Sequence, residues 1–148
     1  MELRELYNKM ISEGFNRFYL EGIGGPVFDD VECLGKIGSE WAVYYVERGQ
    51  KSSPMFTSNS QDEAMDYYYK LVASIEHWHM IVFTRSKSLM EERRKTLENQ
   101  NIRVIQNDIP HYSKTDDRVY RLFVVNKDIF KAKELFDVIP LYDDDLKR

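Results

Sequence analysis

The sequence has few of the residues that cross-link or interrupt a chain: one cysteine, four prolines and seven glycines in 148 residues. The single cysteine, Cys33, excludes an internal disulfide. No apolar run approaches the roughly 20 residues that a membrane-spanning helix requires. No basic stretch followed by an apolar run near the start resembles a secretory signal. These absences predict a cytoplasmic protein with no membrane partner.

A clustered basic surface is also lacking. The chain has a net charge of −4, and residues 1–74 contain seven Lys and Arg against twelve Asp and Glu. Nucleic-acid binding requires clustered cations that neutralise phosphates. The one basic run, Arg93-Arg94-Lys95, lies among three glutamates, a pattern typical of a solvated helix face. The sequence therefore predicts no nucleic-acid partner, and its excess of acid lies in the first half.

Residues that fill a core are plentiful. Apolar residues make up 43% of the chain and aromatic residues 14%, including ten tyrosines. A chain of this length buries about two-thirds of the surface that its unfolded form exposes. We therefore predict a single compact domain over residues 1–148, with a front half at 1–75 and a back half at 76–148.

The strongest strand signal is "WAVYYVERGQKSS", which begins at Trp41. Side chains alternate along a strand, and here both alternating sets are apolar as far as Val46, which favours a central strand covered on both faces. A hairpin loop is predicted over residues 47–52, with positive φ at Gly49. Pro54 then places the return segment at a strand start or on a sheet edge.

The remaining periodicities predict an α+β fold in which helices pack on a largely antiparallel sheet. The element order is α-β-β-β-α-β-α-β-β-α. Ser60 and Glu63 have capping-box spacing for the second helix, Ser88 is the predicted cap of the third, and Asn126 is that of the fourth. The helices are expected at about 2–13, 60–75, 89–99 and after 126.

Catalytic chemistry finds little support in the sequence. His77 and His79 could share a metal with His111 as a third ligand, but no Asp, Glu or Cys stands at ligand spacing beside the pair, and two half-exposed histidines at a strand start account for it better. Cys33 fits a small buried thiol. The glycines of "GIGGP" lack the strand-to-helix context of a phosphate loop. We therefore predict no enzyme activity, no metal and no cofactor.

Three stretches resemble immunity proteins of bacterial polymorphic toxin and contact-dependent growth inhibition systems. They are "LYNKMISEGF", "WAVYYVERGQK" and "TSNSQDEAMDYYYKLV". In that family a helix ending in "GF" or "GY" precedes a W-x-V-Y-Y-x-E-R-G strand and an acidic-capped helix with an E-A step. The matching positions are Trp41, Val43, Tyr44, Tyr45, Glu47, Arg48, Gly49, Glu63 and Ala64.

The resemblance implies an inhibitory binding protein. Such proteins bind a cognate toxin domain, commonly a nuclease with a cationic groove, and occlude its active site or an exosite. An acidic front half suits a basic partner because opposite charges steer encounter. We predict a partner-binding surface made of Asp29, Asp30, Glu32, Glu40, Tyr44, Glu47 and Arg48. The sequence leaves the oligomeric state of the protein open.

The back half supports an alternative. "SLMEERRKTLENQNIRVIQND" and "VYRLFVVNKDIFKAKELF" resemble small signal-transducing or sensor domains in which helices and strands stack together. A stand-alone regulatory domain that binds a ligand or signalling partner is therefore the second hypothesis. A toxin gene beside this one would favour the first hypothesis, and an isolated gene would favour the second.

Overall fold

The computed structural model describes residues 1–143 and residue 146. The chain divides into two compact units, Met1–His77 and Trp78–Arg148. The sequence predicted one compact domain with halves at 1–75 and 76–148. The structure has two compact units, each with its own sheet and core, and the boundary between them follows His77.

The first unit contains two helices and a five-stranded sheet. The two central strands, β2 and β3, form an antiparallel hairpin, and β4 and β5 both pair with β3. The short β1 lies parallel to β2. In chain order the elements are α1 (Leu3–Ser12), β1 (Tyr19–Leu20), β2 (Val31–Ile37), β3 (Glu40–Glu47), β4 (Gln50–Lys51), β5 (Phe56–Ser58) and α2 (Gln61–Ala73).

The sheet of the first unit is covered on both faces, as the two apolar sets of β3 predicted. Leu34 and Val43 are paired in register and pack with the buried side chains of α1 and α2. Cys33 and Tyr44, the next pair, point to the opposite face, where Val27 of the preceding loop packs against them. This second, smaller core depends on a loop rather than on a helix.

Tyr68 connects α2 to two strands. Its hydroxyl accepts a hydrogen bond from the N–H of Tyr19 at 2.9 Å and donates to the carbonyl of Glu32 at 2.6 Å. The side chain is completely buried. Burial raises the pKa of this phenol well above its usual range, so the group stays a neutral donor. The bonds hold the helix in register above β1 and β2.

The second unit has a four-stranded sheet in the order β7-β8-β6-β9. Its pairs are antiparallel except β6 with β9, which is parallel. The α+β class is confirmed, and no helix of the described residues is long and apolar enough to cross a membrane. The elements are β6 (Trp78–Thr84), α3 (Lys87–Asn99), β7 (Ile105–Gln106), β8 (Tyr120–Val125), α4 (Asp128–Leu135) and β9 (Leu141–Tyr142).

Two predicted helix caps are wrong. Ser86, not Ser88, caps α3, because its hydroxyl accepts the N–H of Leu89 at 3.2 Å. Asn126 is not the N-cap residue of α4. It adopts a positive φ of 52°, and Lys127 occupies the N-cap position. Ser88 and Asn126 are both residue types that commonly cap helices, but the helices begin one or two residues away from the predicted positions.

Candidate partner-binding surface

Five of the seven predicted site residues gather at one end of the β2–β3 hairpin, which we call the acidic end: Asp29, Asp30, Glu32, Glu47 and Arg48. Val31 pairs with Val46, so the residues that precede β2 lie beside those that end β3. Glu32 stands opposite Tyr45 in the same register. The hairpin therefore brings Glu47 beside three carboxylates, those of Asp29, Asp30 and Glu32, that are close together in the sequence.

A tight turn closes the hairpin between β3 and β4 at the acidic end. Glu47 pairs with Gln50, so only Arg48 and Gly49 lie in the loop. Both have positive φ, 52° and 76°, as a type I′ turn requires. The positive φ predicted for Gly49 is confirmed, and the loop is shorter than the predicted 47–52.

Two hydrogen bonds fix the loop that carries the acidic residues. The carboxylate of Asp29 accepts the N–H of Gly49 at 3.1 Å, which joins the loop to the turn. The guanidinium of Arg17 donates to the carbonyl of Asp30. Asp30 itself has a φ of 51°, a conformation that Asp tolerates better than most residues. The loop is thus held in one arrangement before any partner binds.

Tyr45 lies within the acidic end and was not predicted as a site residue. Partial burial is the first cause that raises the pKa of its hydroxyl, and the nearby carboxylates of Asp30, Glu47 and Glu32 raise it further, against the opposing charge of Arg17. The side chain also lines an open groove of about 430 Å³ with Glu47, Arg48, Gln50, Lys51 and Ser52.

Phe28 is the most exposed large apolar side chain of the described residues outside the termini, with 76% of its surface accessible. It directly precedes Asp29 and Asp30 in the fixed loop. An aromatic ring held in water beside acidic groups is typical of an anchor that becomes buried in a protein interface. Sequence reasoning missed it because periodicity assigns no face to a residue in a loop.

Two predicted site residues do not belong to the acidic end. Glu40 begins β3 and Glu47 ends it, so at about 3.4 Å per residue the two lie roughly 24 Å apart. Tyr44 is 2% exposed. It points to the face that the loop before β2 covers, and for this reason a partner does not reach its ring.

The Tyr44 hydroxyl has a structural partner instead. It donates to the carboxylate of Glu21 at 2.5 Å, and the ammonium of Lys51 lies 3.5 Å from the same oxygen. Burial first, and then this hydrogen bond, raise the pKa of Tyr44 far above its usual range. A Cβ at Gly35 would overlap the Glu21 carboxylate, so the missing side chain makes room for the pair. The hydrogen bond and the ion pair stabilise the fold, and a phenol with so high a pKa does not serve in proton transfer.

The prediction of half-exposed histidines is wrong for His77. Its ring is 1% exposed and stacks on Phe15 with centroids 4.6 Å apart. Nδ1 accepts the N–H groups of Asn16 and Arg17 at 3.1 and 3.2 Å, and Nε2 lies 2.9 Å from the carbonyl of Val72. These partners fit a neutral ring protonated on Nε2. The histidine completes the core of the first unit.

His111 and Cys33 were also candidates for metal binding or catalysis. His111 accepts the N–H of Asp116 through Nδ1 at 3.0 Å in a loop of the second unit. No group of three or more His, Cys, Asp or Glu within residues 1–143 and 146 could hold a metal ion. Cys33 is buried, and desolvation, followed by the charge of Glu32, raises its pKa to about 11. A thiol in that environment is a poor nucleophile.

The second unit contains one polar cluster that the sequence did not reveal. Arg85 donates to both carboxylate oxygens of Asp117, at 2.7 and 3.0 Å, and Ser113 donates to the same carboxylate. The hydrogen bonds with Arg85 and Ser113 hold the pKa of Asp117 well below its usual range. These hydrogen bonds join the loop after β7 to the end of β6, so the cluster has a structural role.

Searches of protein-family models, of curated protein sequences and of solved structures find no match to this chain.

Proposed function

We propose that this chain is an immunity protein, one that binds a cognate bacterial toxin domain and blocks its active site or an exosite. The toxin is proposed to be a nuclease with a basic substrate groove. The observation that supports this function is the acidic end: the carboxylates of Asp30, Glu32 and Glu47 lie near the half-buried Tyr45, and hydrogen bonds of Asp29 and Arg17 fix the loop before β2. The proposed role is inhibition by occlusion, which requires no catalytic group in this chain.

Charge complementarity gives the acidic end a specific role in the proposed complex. A nuclease groove must attract phosphates, so a fixed set of carboxylates competes for the same cations. Such a field raises the association rate and orients the partner more than it adds affinity. Because the loop is already ordered, little conformational entropy is lost on binding.

Phe28 supplies the apolar part of the proposed interface. Interfaces derive most of their binding energy from a few buried anchors, with charged groups at the rim. The exposed ring and the acidic residues beside it match that arrangement. We therefore assign the contact to Phe28 and the acidic end, without Tyr44 and Glu40.

The experiment uses amide substitutions, which remove charge and keep shape. The variant carries Asp29→Asn, Asp30→Asn, Glu32→Gln and Glu47→Gln, so the hydrogen bond to Gly49 retains an acceptor and position 30 keeps a residue type that tolerates positive φ. Association with the toxin domain encoded beside this gene should slow on the order of 10-fold at low salt. Growth protection on co-expression should fall with it.

The matched control removes four exposed carboxylates from the second unit: Glu91→Gln, Glu92→Gln, Glu134→Gln and Asp137→Asn. It should associate and protect like the natural protein. The acidic residues 143–145 do not serve as a control, although an acidic run after Pro140 is more often a solubilising tail than a contact. Asp143 accepts from Thr84 and Arg85, and the other two lie outside the described residues. Loss of protection in the control alone, or an isolated gene, would contradict the proposal.

A further inference from the structure

In the first turn of α2, the carboxylate of Glu63 has no internal partner in the part of the chain that the structure describes. Ser60 accepts the N–H of Glu63 at 3.2 Å, as a capping box requires. The reciprocal bond does not form, because the N–H of Ser60 donates to the hydroxyl of Ser58 at 3.0 Å. The carboxylate of Glu63 is therefore released from the cap and has no ion pair or side-chain hydrogen bond among the described residues.

Glu63 instead lines a groove of about 460 Å³ between β5 and α2. Two aromatic rings form its wall: Phe56 of β5 and Tyr67 of α2 stack with centroids 4.2 Å apart and planes within 6° of parallel. Leu71 adds further apolar surface. Because the two rings cover one face of each other, the groove offers their edges and an outer ring face, with one carboxylate on its rim.

The charges around the groove select the sign of an occupant. Asp66 and Lys70 also line it, but they form an ion pair at 2.9 Å and nearly neutralise each other. The uncompensated charge is the carboxylate of Glu63. A cation that enters the groove therefore meets an unpaired anion and an aromatic surface.

We propose that this groove binds an arginine side chain of a partner polypeptide. A guanidinium is planar and weakly hydrated, so it stacks on aromatic rings and also forms paired hydrogen bonds with a carboxylate. The lysine ammonium is compact and strongly hydrated, and it gains less from a flat apolar wall. The inference does not depend on the proposed toxin, and its test requires only this chain.

The probes are three capped tripeptides, acetyl-Gly-Arg-Gly-amide and its Lys and Gln counterparts, titrated into the full chain. Amide resonances over residues 56–71 should shift with the Arg peptide, with a dissociation constant on the order of 10 mM, as expected for one exposed cation–π contact together with a charge-assisted hydrogen bond. The Lys peptide should bind at least threefold more weakly, and the Gln peptide should cause no saturable shift. Equal shifts with all three peptides, or equal binding of Lys and Arg, would overturn the proposal.

Variants assign the binding to the groove. Glu63→Gln removes the charge and Tyr67→Leu removes the ring, and each should weaken the Arg peptide at least fivefold. Tyr67→Phe keeps the ring and should bind as before. Glu91→Gln, in the first half of α3, is the matched control for a helix carboxylate outside the groove. Unchanged affinity in Glu63→Gln would refute the assignment, and the fold of each variant is verified by its unchanged distant resonances.

Discussion

The carboxylate of Asp29 and the backbone N–H of Gly49 lie 3.1 Å apart, although 20 residues separate them in the chain. This hydrogen bond joins the loop before β2 to the turn after β3. Gly49 therefore has two roles, since it supplies a positive φ for the turn and a donor for the loop. This contact holds the loop before β2 and the turn after β3 together at the acidic end.

The turn between β3 and β4 should be sensitive to residues that resist positive φ. Gly49→Val should lower the free energy of unfolding by about 1–2 kcal/mol through backbone strain, and Gly49→Asn should cost less. Arg48→Asn should raise that free energy by about 0.5 kcal/mol, because Asn-Gly is the favoured type I′ pair. Urea unfolding measures all three. Equal losses for Val and Asn at position 49 would contradict the turn.

His77 should be required for stability, contrary to the sequence-based interpretation. His77→Ala should cost about 2–4 kcal/mol, because it opens a cavity beside Phe15 and removes the ring acceptor of the Asn16 and Arg17 N–H groups and the ring donor to the Val72 carbonyl. His77→Phe keeps the stacked ring and should still cost about 2 kcal/mol, since the polar partners are lost. His111→Ala is the exposed control. A His77→Phe variant as stable as the natural protein would show that the ring alone matters.

Asp117 should make stability depend on pH in the acid range. Its pKa is depressed in the folded state by Arg85 and Ser113, so its contribution is complete above the unfolded carboxyl pKa of about 3.9 and is lost as pH falls from there through the folded pKa. Asp117→Asn should therefore show a smaller fall in Tm between about pH 5 and pH 2. Asp116→Asn, an exposed neighbour, should follow the natural protein. Parallel Tm profiles for Asp117→Asn and the natural protein would argue against the coupling.

Cys33 should react slowly with thiol reagents while the chain is folded. Burial raises its pKa to about 11, so at pH 8 little thiolate forms, whereas an unfolded chain has a thiol pKa of about 8.5. Labelling by 5,5′-dithiobis(2-nitrobenzoate) should be on the order of 100-fold slower without urea than with it. Rapid labelling of the folded protein would mean that the loop over this face opens readily.

Long, strongly patterned elements were predictable from sequence. The alternation along Trp41–Val46 and the apolar stripe of α2 persist in the structure because each buries a continuous face. The two-residue strands β1 and β9 were not predicted. They are too short to show a period, and their partners, β2 and β6, are distant in sequence.

Only the parts of the candidate site that depend on a residue's own backbone preference could be predicted from the sequence. Gly49 indicated the turn, since few residues tolerate its φ. Coverage of the face that carries Tyr44 was predicted from the apolar alternation of β3, but that a loop provides the cover was not. The contact of Asp29 with Gly49 and the exposure of Phe28 also follow from that loop. A loop of this kind has no periodicity from which its path could be inferred.

The core position of His77 has a consequence for protein synthesis. His77 is the last residue of the first unit, yet it supplies partners for Asn16, Arg17 and Val72. A nascent chain that has emerged from the ribosome only as far as residue 76 lacks the imidazole that bonds these three residues and stacks on Phe15. Domains fold from the N-terminus as they emerge. The first unit therefore completes its core only when its final residue leaves the exit tunnel.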